Sequence, residues 1–109
     1  MTQIQDLSAE VYDLNVAHGW EPDPFRTFGD EIALLHSEVS EALEAYRRYQ
    51  FSPHTSDAGK PDDVGSELAD VFIRLLHVCR SRGIDLEAEY SRKMAHNWTR
   101  SWRHGGKCL

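Results

Sequence analysis

HSEVSEALEAYR (residues 36–47) holds Glu38 and Glu41 three positions apart in a run with strong helical patterning. SELADVFIRLL (residues 66–76) repeats the device with Glu67 and Asp70. Spacing of i, i+3 sets both carboxylates of a pair on one helix face. One such pair alone is an ordinary solvated helix surface. Two pairs brought together would place four negative charges in one spot. A hard cation such as Mg²⁺ or Mn²⁺ resolves that repulsion, because carboxylate oxygens suit it.

Outward from these two runs, the same periodicity predicts four helices and no strand. The first spans about residues 3–18, with Ile4, Leu7, Val11, Leu14 and Ala17 or His18 on its stripe. Gly19 ends it, and Glu21-Pro22-Asp23-Pro24 forbids continuation. The second starts near Thr27, with Asp30 in a near variant of the capping box, and runs to about Tyr49. Its expected core stripe is Ile32, Leu35, Val39, Leu43 and Tyr46 or Arg47. FSPHTSDAGKP (51–61) reads as a low-order linker, long enough to suggest mobility or function. The third helix starts at Asp62 or Asp63, with Val64, Leu68, Val71, Leu75 and Val78 as its stripe and Gly83 at its C′ position. Asp85 caps the fourth, striped by Leu86, Tyr90, Met94, Trp98 and Trp102, and Gly105-Gly106 closes it. The expected fold is all-α, an antiparallel four-helix arrangement forming a single domain over 1–109. The single loop between helices two and three makes them antiparallel neighbours. Both acid pairs then fall mid-helix, at one height, facing each other.

A chain of 109 residues with 40% apolar content buries a modest core, so association with a second copy would help it. Bulky Tyr90, Trp98 and Trp102 exceed what four short helices readily bury. A net charge of −6 disfavours general nucleic-acid binding. The charge is uneven, however. After Glu89 there is no acid, while Arg92, Lys93, Arg100, Arg103 and Lys107 follow. An acidic centre with a basic tail suits a metal-bound polyanion better than a duplex. Cys79 and Cys108 lack the spacing of a disulfide framework or a zinc site, which predicts a reduced, cytoplasmic setting. No apolar run has the length of a membrane span, and no signal-peptide pattern opens the chain.

Magnesium keeps waters and commonly bridges to substrate phosphates. A cation held by Glu38, Glu41, Glu67 and Asp70 would keep positions for a nucleotide's phosphates and for an acidified water. Lys93, Asn97 and Arg100, at i, i+4 and i+7, form one stripe of the fourth helix and are candidates for the remaining phosphate charge; the plainer reading is a solvated basic face. His36 and His77, in apolar helices, read as satisfied, partly buried histidines. Glu31 is an outer acid of the cluster or a helix-start charge. Trp98 and Trp102 read as packing or an oligomer contact.

HSEVSEALEAYR, ELADVFIRLL with 25 residues between Glu41 and Glu67, and KMAHNWTRSWRHGGK (93–107) together resemble the MazG-like all-α nucleoside triphosphate pyrophosphohydrolases. That family is marked by Glu-x-x-Glu, a spacer and Glu-x-x-Asp, and the resemblance covers residues 10–107. It implies an all-helical fold that forms dimers or dimers of dimers. It also implies Mg²⁺-dependent cleavage of a nucleoside triphosphate to monophosphate and pyrophosphate, a form of nucleotide-pool housekeeping. By position it makes Glu38, Glu41, Glu67 and Asp70 the metal ligands, with Glu38 or Glu41 also orienting or deprotonating the attacking water. Lys93 and Asn97 match the family's Lys-x-x-x-Asn, Arg100 extends it, and Lys107 matches a tail that reaches phosphate. Asn15 and the Gly19-Trp20 turn resemble the end of the family's first helix, where Trp20 or Phe25 would stack on a base; a buried core aromatic is the plainer reading of both.

Other classes remain in view. A ferritin-like di-metal bundle needs Glu-x-x-His pairs, and no Glu here has His three positions on. A non-catalytic regulator or adaptor could share the fold, and a related enzyme could act on another phosphoanhydride such as phosphoribosyl-ATP.

Overall fold

The computed structural model describes residues 3–102. They form α1 (Ile4–Ala17), α2 (Phe28–Tyr49), α3 (Val64–Ser81) and α4 (Leu86–Trp98), with no strand among the described residues. The helix ends follow local chemistry. Thr27 accepts from the Asp30 backbone N–H while the Asp30 carboxylate accepts from that of Thr27, a complete capping box. Asp63 and Asp85 accept from Ser66 and Ala88 at the starts of α3 and α4. Two helices end in the same motif. After α3, Gly83 takes a φ of 68°, and the Ile84 and Gly83 amides donate to the carbonyls of Cys79 and Arg80. After α1, Gly19 takes a φ of 80°, and the Trp20 and Gly19 amides donate to Asn15 and Val16. Both are Schellman caps, which need a residue comfortable in the left-handed region.

α2 and α3 form the antiparallel hairpin that the single connecting loop predicts. Arg82 at the end of α3 pairs with Glu31 at the start of α2, Arg74 pairs with Glu38 further along, and Tyr49 at the end of α2 bonds Asp62 just before α3. α1 lies on α3, where the Ser8 hydroxyl donates to the Leu76 carbonyl and Asn15 bonds His77. α4 packs on α1, and Glu87 accepts from the Ile4 amide. The four helices therefore do not close into one bundle. The radius of gyration is 16.8 Å, against about 13 Å for a compact domain near this size.

The core is correspondingly thin: Ala42, Ala45, Leu76, Val78 and Cys79. The expected stripes are only partly covered. On α2 the face toward α3 carries Glu31, Glu38, Ala42 and Ala45, and Val39 (52% exposed), Leu43 (51%) and Tyr46 point elsewhere. Leu68 of α3 is 53% exposed, and Tyr90, Met94, Trp98 and Trp102 are all exposed. Small alanines let α2 and α3 approach, so the acid pairs lie at the hairpin seam and the bulkier apolar residues beside them face outward.

Residues 51–61 are not a low-order linker. A bridge joins Thr55 to Pro61, and the Ser56 and Asp62 amides donate to the Lys60 and His54 carbonyls. His54 stacks on Tyr49 with centroids 3.9 Å apart, and its Nδ1 lies 2.6 Å from Asp62 Oδ1. Composition read this segment as coil because the clip depends on a helix residue and on one beyond the loop. No helix among the described residues is long and apolar enough to cross a membrane.

Candidate metal centre

Glu38 from α2 and Glu67 and Asp70 from α3 converge. Each offers a carboxylate oxygen, and the three oxygens lie within 4.8 Å of one another. Glu67 is buried, and its Oε2 has no hydrogen-bond partner among the described residues. A buried acceptor without a partner is costly, because it gave up water for nothing. Glu41 stands just outside this trio. Its residue is exposed as a whole, yet its carboxyl lies against Glu38.

The electrostatics follow from that crowding. Burial pushes the Glu67 carboxyl up from its ordinary value, and the charges of Asp70 and Glu41 push the same way. Glu41 is raised by protein packed around its carboxyl, then by hydrogen bonding and charge from Glu38, with Asp70 adding to it. Lys60 opposes both shifts. Like charges at close range disfavour ionisation, and a cation placed among them reverses the balance. The donor set, all oxygen and with an orphaned lone pair, fits a hard divalent ion.

The cluster separates two cavities. One, of about 350 Å³, is lined by Asn15, Trp20, Arg26, Glu38, Asp70, Ile73, Arg74 and His77. The other, of about 150 Å³, includes Glu41, Arg48, Tyr49, Asp62 and Glu67. In the larger, His77 is buried and satisfied as expected: Nε2 lies 2.8 Å from Glu21, Nδ1 lies 2.7 Å from the Asn15 amide, and Tyr12 stacks on the ring. His36, by contrast, is exposed. Trp20 and Phe25 are not core aromatics; they are 60% and 89% exposed, and Trp20 sits on the cavity wall. Glu31 is no part of the cluster. It is buried and makes a two-pronged pair with Arg82, Oε2 to Nε at 3.2 Å and Oε1 to Nη2 at 3.1 Å.

Lys93 and Asn97 are exposed on α4, Arg100 follows that helix, and none of the three lines either cavity. α4 rests on α1, so the single chain does not bring this stripe to the acids. Lys107 and Cys108 lie outside the described residues; Cys79 is buried with a free thiol, which burial pushes up. Three cations near the acids escaped the sequence reading: Lys60, Arg74 and Arg26. For Arg74 a signal existed, since it falls four residues after Asp70 on the same face. Lys60 and Arg26 are delivered by the loop and the α1–α2 connection, and no periodicity marks them. No family model, curated protein or solved structure matches this chain.

Proposed function

We propose that this protein is a divalent-cation-dependent nucleoside triphosphate pyrophosphohydrolase, releasing a nucleoside monophosphate and pyrophosphate. The observation that carries this reading is the convergence of Glu38, Glu67 and Asp70, together with a buried oxygen of Glu67 that lacks a partner among the described residues. The resemblance of the two acidic motifs and of the Lys93–Asn97 stripe to MazG-like enzymes supports it.

In this reading Glu38, Glu41, Glu67 and Asp70 hold Mg²⁺ or Mn²⁺, the trio most closely and Glu41 at the edge. Such an ion supplies charge neutralisation for a phosphate chain and a more acidic water. Glu41 would take the proton of the attacking water, since it is solvent-accessible and its carboxyl adjoins Glu38 of the trio. The larger cavity accepts the nucleoside, with the exposed Trp20 ring offering a stacking face. The exposed apolar faces of α2 and α3 pair two or more copies, and α4 of a neighbouring copy supplies Lys93, Asn97 and Arg100 to the phosphates; Lys107 extends that contact.

A nucleotide panel assayed with Mg²⁺ and with EDTA tests the reading. Pyrophosphate and monophosphate should appear only with the metal. Diphosphate with orthophosphate as products refutes the bond assignment.

A further inference from the structure

Arg74 is bound to one of the acids that the proposed cation needs. Its Nη2 lies 3.1 Å and its Nε 3.2 Å from the same atom, Oε1 of Glu38. This is not the parallel fork in which a guanidinium meets both oxygens of a carboxylate. Among the described residues Arg74 makes no other hydrogen bond or ion pair. Its side chain is 30% exposed, and both partners line the cavity of about 350 Å³ beside Asp70. On α3, Glu67, Asp70 and Arg74 fall at i, i+3 and i+7, so one helix face presents two acids and then a cation.

We propose that Arg74 is a phosphate-binding residue, held by Glu38 until the site is loaded and then turned to the substrate's phosphate chain. This deepens the reading above and rests on it for the nature of the substrate. The argument is one of charge. A divalent ion drawing on Glu38 repels the guanidinium at the same oxygen. A partly exposed ion pair has little net worth, so the exchange is easy. The displaced guanidinium stays tethered in the cavity, where a triphosphate chain brings more negative charge than one divalent ion cancels. Planar donors suit phosphate oxygens, and a partner used in turn by carboxylate and phosphate needs no other change in the fold. Arg26, the other arginine of the cavity, is already beside Asp23.

The test is calorimetric and does not require turnover. Wild type, Arg74→Ala and Arg74→Lys are titrated first with Mn²⁺ alone, then, at saturating Mn²⁺, with an α,β-methylene nucleoside triphosphate. Arg74→Ala should bind Mn²⁺ as tightly as wild type or more so, since a competing cation is gone. The same variant should bind the analogue about ten-fold or more weakly, on the scale of one lost charge-assisted hydrogen bond, and Arg74→Lys should recover part of the loss. Parallel loss of Mn²⁺ and analogue affinity would show that Arg74 only orients Glu38, and overturns the proposal. So does analogue affinity within two-fold of wild type, or no analogue binding by wild type. Failure of the hydrolysis reading is separate: tight, Arg74-dependent analogue binding with diphosphate and orthophosphate as products keeps Arg74 and discards the bond assignment.

Discussion

Glu31 and Arg82 lie 51 positions apart and make a two-pronged ion pair, with both carboxylate oxygens engaged. Arg82 also donates to the Arg26 carbonyl, so one guanidinium ties the start of α2, the end of α3 and the preceding connection together. Arg82→Ala would leave a buried carboxylate unpaired. It should lower the unfolding midpoint clearly, because Glu31 is buried and would lose both of its guanidinium contacts. Urea denaturation reads this directly, and an unchanged midpoint would contradict the assigned role.

Metal-free protein should lose stability as the solution moves from mild acid toward neutrality. Glu67 and Glu41 bind protons more tightly in the fold than in the unfolded chain. Their contribution is therefore full below the ordinary carboxyl value of 4.5 and is lost as pH rises through the higher folded values. Asp30 and Asp63, lowered by hydrogen bonds at helix starts, act in the opposite sense from 3.8 downward, which leaves the upper window clear. Melting curves in EDTA should show Tm falling with pH above 4.5. Glu67→Gln should flatten that slope, and added Mg²⁺ should raise Tm most near neutrality. An unaltered slope in the variant would dissociate it from Glu67.

Glu41→Gln should remove metal-dependent turnover while circular dichroism stays helical, since the side chain contributes no core contact. Because Glu41 stands outside the closest trio, its loss should reduce kcat more than it weakens Mn²⁺ binding, whereas Asp70→Asn should reduce both. Equal turnover in Glu41→Gln and wild type would strike Glu41 from the site.

The exposed residues Val39, Leu43 and Leu68 should be covered in solution by another copy. Light scattering is expected to give a multiple of 12.5 kDa at micromolar concentration. Leu43→Asp should shift the mass toward 12.5 kDa, whereas Phe25→Ser, on the α1–α2 connection, should leave it unchanged. A wild-type mass of one chain refutes association.

Helix boundaries were legible because their signals are local: Thr27 with Asp30, Asp63, Asp85, Gly19 and Gly83 each act within a few residues of themselves. The facing of the two acid pairs was legible too, since one loop leaves α2 and α3 little choice. The identity of the buried face was not. Val39, Leu43 and Tyr46 make a better apolar stripe than Glu38, Ala42 and Ala45, yet helix approach favoured the small residues. Nor could the placement of α4 be read, because an amphipathic stripe does not say which neighbour it meets. Lys60 arrives at the acids through a clipped loop, whose order depends on pairings six and eight positions apart.

Gly83→Ala probes one of those local signals. A Cβ there meets nothing within 4 Å, so only the left-handed backbone is penalised. The expected loss is about 1 kcal/mol, and a larger one in denaturant melts would imply packing that the open space around Gly83 does not provide.

Among the described residues α4 is anchored chiefly on α1. Amides of an arm held this way exchange with deuterium through its own opening, ahead of the α2–α3 seam. Its protection is then set by what lies against its outer side. Diluting the protein should accelerate exchange in residues 86–98 while leaving 67–79 unchanged, so the arm's melting becomes a titration of its surroundings.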